Sequence, residues 1–302
     1  MSAIVEEGHD GTYPEPVKVL VAMFEGMDML DALGPLEVFS WAQHDKNNKD
    51  SKAFSVITAG PAKEVTSDQK VTINANISFD EAMKHLAEID VLVIPGGGTE
   101  AVLKSKSQPL TLIKAFAELQ KRNPSRERTL MSVCTGSLLL AETGILSGLC
   151  ATTHPRYMAK LEIICSNAAQ RDMSDRTDVM DARYIVNNLR FELGDNENEN
   201  PYIILVSPIE ENTNGTGGRR ASSARKGSMS LKMSNTRRES VLKRANLRLG
   251  GLRVLTASGV TSGIDGALYL VGALVSDDAA DEVAAVMCHD WKKGIVVDGT
   301  DV

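Results

Sequence analysis

One cysteine, Cys134, stands where an apolar strand-like stretch gives way to an apolar helical run, Thr129-Leu-Met-Ser-Val-Cys134-Thr-Gly-Ser-Leu-Leu-Leu-Ala141. The small-residue turn predicts a sulfur at the positive end of a helix, where the dipole and unpaired N–H groups favour a thiolate. The same N–H groups can hold an anion that forms beside the sulfur. The pattern therefore predicts a nucleophile on a strand-to-helix elbow, as the serine elbow of hydrolases is built. The plainer interpretation is a small, buried and inert hydrophobe.

Alternating strand and helix patterns surround this corner and predict an α/β fold, with a mostly parallel sheet and helices on both faces. In such folds ligands bind at the carboxyl ends of the strands. The glycine turn at 96–98 follows a buried strand but lacks the GxGxxG spacing and a Lys-Ser/Thr ending, which excludes nucleotide binding. Strands are predicted at 17–24, 53–59, 90–94, 129–133, 151–153, 184–186 and 252–257, a strand or hairpin at 71–77, and helices at 36–42 (begun by Gly34-Pro35), 100–122, 261–275 and 278–291.

Composition limits the class of protein. Apolar residues make up 42% of the 302 residues, and no stretch approaches the roughly 20 apolar residues that span a bilayer. The N-terminal residues 1–16 are polar and acidic, which predicts a disordered tail and no secretory signal. The four cysteines lie far apart without a CxxC pair or a metal-ligand cluster. We expect a cytoplasmic protein in a reducing compartment, with no membrane partner and no metal.

The segment from about 188 to 250 interrupts the strand-helix alternation. Its first part carries six acids and no Lys or Arg between 192 and 211, and residues 212–253 then carry eleven Lys and Arg against one acid. This acidic-then-basic composition predicts a largely disordered insertion. Basic residues two and three positions before Ser222, Ser228 and Ser240 predict sites for a basophilic kinase, whose phosphates would weaken the attraction of the segment to the acidic body. A solvated, tolerated loop is the alternative, and no aromatic interleaving supports nucleic-acid binding.

Four segments resemble the DJ-1/PfpI superfamily and, within it, the isonitrile (isocyanide) hydratases: Met29-Leu-Asp31-Ala-Leu-Gly34-Pro35-Leu-Glu-Val38, Ser132-Val-Cys134-Thr135-Gly136-Ser137, Ala151-Thr-Thr-His154 and Gly259-Val-Thr-Ser-Gly263-Ile-Asp265. The resemblance covers about residues 17–187 and 251–292. It implies a flavodoxin-like sandwich, one domain over 17–302 and a homodimer. Peptidases of the family have a histidine directly after the cysteine, whereas Thr135 stands here. Glyoxalase-like members use a glutamate from the first strand-helix loop. Here that loop offers Glu25, Asp28 and Asp31, and the resemblance gives the role to Asp31.

The resemblance implies a cofactor-free hydration of an isocyanide to an N-formamide, in isocyanide metabolism or detoxification. Cys134 would attack the isonitrile carbon and Asp31 would move the protons. Thr135 would orient water or the substrate nitrogen, while the N–H groups of Thr135 and of Gly97 or Gly98 would hold negative charge. A non-enzymatic redox or stress protein, another small-electrophile hydrolase or glyoxalase, and a regulatory ligand-binding domain remain as alternatives, although little sequence follows Trp291 for a DNA-binding module.

Several of these residues also have plainer structural interpretations. Asp31 or Thr135 would simply cap a helix. His154 would be structural or lie near a dimer seam, His289 would be a packing or surface residue, and Asp265 would pair locally. These interpretations stay open at the level of sequence.

Overall fold

A nine-stranded sheet forms the centre of the protein. The computed structural model describes residues 13–187, 203–206 and 247–297. Its strands are β1 (Val17–Ala22), β2 (Phe54–Gly60), β3 (Glu64–Thr66), β4 (Thr72–Asn74), β5 (Ile77–Ser78), β6 (Val91–Ile94), β7 (Thr129–Val133), β8 (Cys150–Ala151), β9 (Asp178–Val179), β10 (Tyr184–Asn187), β11 (Ile203–Val206), β12 (Arg253–Ala257) and β13 (Gly294–Val297).

The sheet order is β11-β13-β10-β12-β7-β6-β1-β2-β5, and β3 with β4 and β8 with β9 form two small separate pairs. Every neighbouring pair in the large sheet is parallel except β10 with β12. The central strands are continuous runs of Val, Leu, Ile and Met that are buried along most of their length. Such runs belong to a parallel sheet with both faces covered. The predicted α/β fold is confirmed.

Two groups of helices cover this sheet. The helices are α1 (Met29–Trp41), α2 (Phe79–His85), α3 (Thr99–Ser105), α4 (Leu110–Arg122), α5 (Gly136–Glu142), α6 (Met158–Asp172), α7 (Ser262–Leu274) and α8 (Asp277–Val286). Helix α7 packs against α1 and α8, whereas α5 packs against α3, α4 and α6. Among the described residues, the structure contains no helix with the length and apolarity that crossing a membrane requires.

Helix α1 begins seven residues earlier than predicted. Asp28 caps it, and Pro35, predicted near the first turn, lies inside the helix. Proline at that position cannot donate to the carbonyl of Asp31, four residues before it, so one helical hydrogen bond is missing. Helix α1 nevertheless packs closely against α7 at this point: a Cβ on Gly34 would lie only 3.2 Å from Ile264 Cγ1. The early start carries Asp31 into the first helical turn.

Two other helix predictions were wrong in extent. The helix expected over 100–122 is two helices, because Lys106 adopts a left-handed conformation after α3 and Pro109 disfavours helical geometry in the residue before it. The helix expected to run to residue 291 ends at Val286. The chain then turns so that His289 reaches Asp265 on α7.

Strand β11 lies inside the interval predicted as a disordered insertion. The run Ile203-Ile-Leu-Val206 pairs in parallel with β13 at the edge of the sheet. Its β-branched and aliphatic composition suits a strand, but acidic segments flank it and its partner lies about ninety residues away in sequence. Most of the predicted insertion, the residues 1–12 of the predicted tail and the serines 222, 228 and 240 lie outside the described residues.

Candidate active site

Four loops meet at the carboxyl ends of neighbouring parallel strands. They follow β1 (residues 23–28), β6 (95–98), β7 (134–135) and β12 (258–261). Because these strands are adjacent in the order β12-β7-β6-β1, their loops form one continuous edge. This is the edge at which open α/β sheets bind ligands.

Cys134 lies at the corner between β7 and α5 with a positive φ of 55°. A non-glycine residue in this region is strained, and the surrounding structure must hold it there. Its N–H donates to Ala257 O at 2.9 Å, extending the pairing of β7 with β12. Its carbonyl accepts hydrogen bonds from Ser137 Oγ at 3.1 Å and from Thr153 Oγ1 at 3.0 Å. Both backbone groups of the corner are therefore fixed by neighbouring elements.

Asp31 projects from the first turn of α1 and is fully buried. The alternative that it caps the helix is wrong, because Asp28 accepts the N–H groups of Leu30 and Asp31 at 3.0 and 3.3 Å. Oδ2 of Asp31 accepts the N–H of Gly96 at 3.0 Å. Oδ1 accepts no hydrogen bond of standard geometry within the described part of the chain. The thiol of Cys134 is close enough to act on this carboxyl as a weak donor.

Burial raises the pKa of both members of this pair. The pKa of Asp31 rises from 3.8 to about 7, chiefly through desolvation and then through the charge of Asp28, against the lowering effect of hydrogen bonds from Gly96 and Cys134. The pKa of Cys134 rises to about 12, again through desolvation first and then through the Asp31 charge. Burial and the Asp31 charge thus oppose the predicted resting thiolate, whereas the N–H and the hydroxyl of Thr135 favour it.

Thr135 joins the cysteine corner to the glycine turn after β6. Its Oγ1 accepts the N–H of Gly97 at 2.9 Å and donates to Gly97 O at 3.3 Å. Its N–H and hydroxyl both act on the sulfur of Cys134 and lower the pKa of that thiol. Thr135 does occupy the N-cap position of α5, but its side chain makes no capping bond.

The N–H groups of Gly97 and Gly98 do not face a substrate, contrary to the prediction. The N–H of Gly97 donates to Thr135, and that of Gly98 donates to Gly26 O at 2.7 Å. An N–H that already donates a hydrogen bond is a poor donor to an anion. These two glycines therefore have a structural role beside the site. The N–H of Thr135 remains the donor directed at the sulfur.

We expect Gly96→Ala to displace the residues of this site, because the added Cβ has no room among them. A Cβ there would lie 2.6 Å from Thr135 N, 2.7 Å from Thr135 Oγ1 and 2.8 Å from Asp31 Oδ2. Such overpacking costs about 1–3 kcal/mol of folding free energy and moves the carboxyl. Urea denaturation checks the stability, with Gly259→Ala as the control, since a Cβ on Gly259 meets nothing within 4 Å. Equal midpoints for the two variants would contradict this packing.

Other residues singled out in the sequence lie elsewhere. Glu25, from the same loop as Asp28, is exposed and accepts the N–H of Thr66 at 3.2 Å. His154 accepts the N–H of Arg156 and so caps a short helical turn. Asp265, fully buried on α7, pairs with Arg183 and with His289. Asp265 therefore does form pairs, but with two partners distant in sequence rather than locally, and one of them is His289.

Sequence reasoning missed three contributors: Gly96, Thr153 and the capping role of Asp28. Asp28 stands just before an apolar helical run, and this N-cap signal could have identified it. The contacts of Gly96 and Thr153 join residues far apart in sequence. Composition and local pattern therefore cannot predict them. Within the described ranges, no group of three or more His, Cys, Asp or Glu residues is arranged to hold a metal ion.

The fold and this site define a class of protein. The model of the DJ-1/PfpI family matches residues 17–188, and the chain belongs to that family. It is similar to a Streptomyces lividans protein described as an uncharacterized protein in the cpoL 5′ region, with 34% identity over 150 residues that cover 50% of this chain and 96% of that protein.

A second relative carries a functional name. An isonitrile hydratase of Pseudomonas putida is 33% identical over 93 residues, which cover 31% of this chain and 36% of that enzyme. The chain therefore spans about a third of that enzyme's length. A crystal structure of a ThiJ/PfpI family protein from Pseudomonas syringae aligns with a TM-score of 0.53 at 17% identity, covering 95% of this chain and 82% of that one. This last likeness supports the fold alone.

Proposed function

We propose that the protein is a cysteine-dependent hydratase that converts an isonitrile into an N-formamide. The observation that carries the proposal is the buried pair of Asp31 and Cys134: Gly96 holds the carboxyl at the corner of the thiol, and burial raises the pKa of Asp31 to about 7. A general base works best when its pKa lies near the working pH. The similarity to an isonitrile hydratase supports the choice of substrate class.

In the first half of the reaction, the Asp31 carboxylate takes the proton from the Cys134 thiol. The sulfur attacks the terminal carbon of R–N≡C, and Asp31 returns the proton to that carbon. The product is a thioimidate, R–N=CH–S–Cys134, in which one C–S bond and one C–H bond have formed. The raised pKa of Asp31 keeps it able both to accept and to release this proton near neutral pH. If the thiol ionises only at the moment of attack, the buried site does not have to hold a permanent negative charge.

In the second half, water attacks the thioimidate carbon and the carboxylate of Asp31 accepts a proton from that water. The proton passes to the nitrogen, and the tetrahedral species loses the sulfur, which regains its proton. The products are R–NH–CHO and the free Cys134 thiol. The N–H of Thr135, directed at the sulfur, stabilises negative charge there in both halves. The Thr135 hydroxyl is held by Gly97 and keeps this donor in position.

Two alternatives fit the site less well. A glyoxalase-type reaction would use a glutamate beside the cysteine, but Glu25 is exposed and bonds to Thr66. A redox sensor needs an accessible thiolate. Burial first, and then the Asp31 charge, raise the pKa of the Cys134 thiol to about 12, which disfavours a standing thiolate. A reaction with a base beside the thiol does not require one.

The test is direct. Purified protein is incubated with an alkyl and an aryl isocyanide, and the N-formamide is followed by mass spectrometry against buffer and heat-denatured protein. We expect enzyme-dependent formamide at pH 7–8. Formamide at the rate of the buffer blank for a panel of small isocyanides would exclude the proposal. The homodimer, the kinase acting at Ser222, Ser228 and Ser240, and the cytoplasmic location remain predictions.

A further inference from the structure

The hairpin of β3 and β4 lies along the loop that precedes α1. Thr66 O accepts the N–H of Gly26 at 2.8 Å, and the N–H of Asp68 donates to Met27 O at 2.9 Å. The carboxylate of Glu25 accepts the N–H of Thr66. The hairpin is thus attached to the loop at three successive residues. The hairpin lies outside the four motif segments quoted from the sequence, and these gave no indication of this role.

Gln69, in the turn of this hairpin, contacts the start of α1 with both ends of its side-chain amide. Nε2 donates to Asp28 Oδ2 at 2.8 Å, and Oε1 accepts the N–H of Met29 at 3.0 Å. The other oxygen of Asp28 caps the helix through Leu30 and Asp31. Gln69 therefore fixes the same carboxylate that organises the first turn of α1.

The opposite side of this loop is tied to the glycine turn. Asp28 N–H donates to Gly96 O at 2.9 Å, while Gly96 N–H donates to Asp31 Oδ2 at 3.0 Å. Gly97 then continues the contacts to Thr135 beside the sulfur. An unbroken set of hydrogen bonds therefore runs from Gln69 through Asp28 and the glycine turn to the cysteine corner.

We propose that Gln69 and Asp28 are positioning residues for the Asp31–Cys134 pair: Gln69 orients Asp28, and Asp28 holds the backbone from which Asp31 faces the thiol. Neither residue touches the sulfur in the described contacts, so both act through others. The proposal rests on the proposed function, because the geometry they hold matters only if Asp31 exchanges protons with Cys134. Small displacements of a catalytic group carry large rate penalties.

The charge of Asp28 supports this assignment independently. It raises the pKa of Asp31 and also that of Cys134. Asp28 and Cys134 are the titratable groups, among the described residues, that act on the Asp31 carboxyl. Gln69 supplies a neutral donor to Asp28, so it orients the carboxylate without cancelling its charge. A lysine or arginine in its place would weaken the effect of Asp28 on the pair.

The first test variant is Asp28→Asn, which keeps a good N-cap but removes the charge. The readout is the pKa of Asp31, followed by ¹³C NMR of labelled aspartate carboxyls without substrate and assigned with Asp31→Asn. We expect this pKa to fall by on the order of one pH unit. The acid limb of kcat/KM for formamide formation should shift to lower pH by the same amount.

The second variant is Gln69→Ala, which should lower kcat roughly 3- to 10-fold with KM little changed, as expected from the loss of one or two hydrogen bonds. On an Asp28→Asn background, Gln69→Ala should lower kcat by a smaller factor, because Gln69 acts through Asp28. Gln69→Glu, which adds a charge beside Asp28, should move the pKa of Asp31 upward. Val71→Ala, at an exposed position of the same turn, is the matched control.

The outcomes separate the two proposals. An unchanged Asp31 pKa in Asp28→Asn and Gln69→Glu, with kcat unaffected in Gln69→Ala, would overturn the positioning role even if formamide is made. Shifted carboxyl titrations in a protein that makes no formamide would leave the positioning of the pair standing and reject the hydratase. If Asp28→Asn does not fold, the pKa of Asp31 in Gln69→Glu decides the matter.

Discussion

Cys134→Ala should make no detectable N-formamide, a loss of at least about 10⁴-fold in kcat. The alanine variant has no sulfur that can bond to the isonitrile carbon. Without that bond, no thioimidate forms for water to attack. The fold should persist, because the backbone of the corner is held by Ala257, Ser137 and Thr153 rather than by the sulfur. Loss of one small buried side chain costs on the order of 1 kcal/mol.

Formamide production by quenched-assay mass spectrometry checks this prediction, with circular dichroism as the test of folding. The control is Cys288→Ala, since Cys288 is exposed and lies outside the site. It should retain full activity. A folded Cys134→Ala protein that turns over isocyanide at more than a few per cent of the normal rate would mean that water adds without a covalent step.

Asp31→Asn should lower kcat/KM by about 10²–10⁴-fold, the usual contribution of a positioned acid–base group. The amide can still accept the N–H of Gly96, so the geometry is retained while the proton carrier is lost. In the unaltered protein kcat/KM should rise with pH through a midpoint near 7, because Asp31 must be ionised to take the thiol proton and the pKa of this carboxyl is about 7. This midpoint should vanish in the variant.

The same substitution should stabilise the protein at alkaline pH. The pKa of Asp31 is raised from 3.8 to about 7 on folding, so the native state binds more protons than the unfolded chain between these values. Stability contributed by the protonated carboxyl is therefore fully present below pH 4 and is lost as pH rises to 7. Above pH 7 the buried charge costs about 2–4 kcal/mol, which asparagine avoids.

Urea denaturation at pH 5 and pH 8 measures this effect. The difference in free energy of unfolding between Asp31→Asn and the unaltered protein should grow in favour of the variant from pH 5 to pH 8. A variant that is less stable at pH 8 than at pH 5, relative to the unaltered protein, would contradict a buried carboxyl of raised pKa. A gain in stability with a loss of activity is the pattern expected of a strained functional group.

The sequence predicted the parts of this structure that depend on local pattern. Apolar runs such as Val91–Ile94 are too short and too uniformly hydrophobic for anything but buried strands, and small residues after Val133 indicated the turn at Cys134. The resemblance of the segment around Asp31 to the hydratases pointed to the carboxyl that the structure brings beside the sulfur. These features are encoded within a few neighbouring residues.

What the sequence could not predict depends on contacts between distant residues. The dipole argument favoured a thiolate at Cys134, but burial and the nearby carboxyl outweigh it and raise the pKa of the thiol. Free N–H groups were expected at Gly97 and Gly98, but Thr135 and Gly26 occupy them. The contact of Gln69 with Asp28 spans 41 residues and has no local signal.

The most direct test of the proposed mechanism is whether the isonitrile carbon becomes bonded to Cys134 during turnover. The unaltered protein is mixed with excess isocyanide, reduced with borohydride within milliseconds and digested for mass spectrometry. We predict that the peptide containing Cys134 gains the mass of the isocyanide plus two hydrogens, and that the peptides of Cys150, Cys165 and Cys288 do not. Steady formamide production with Cys134 unmodified at every time point would contradict the covalent mechanism.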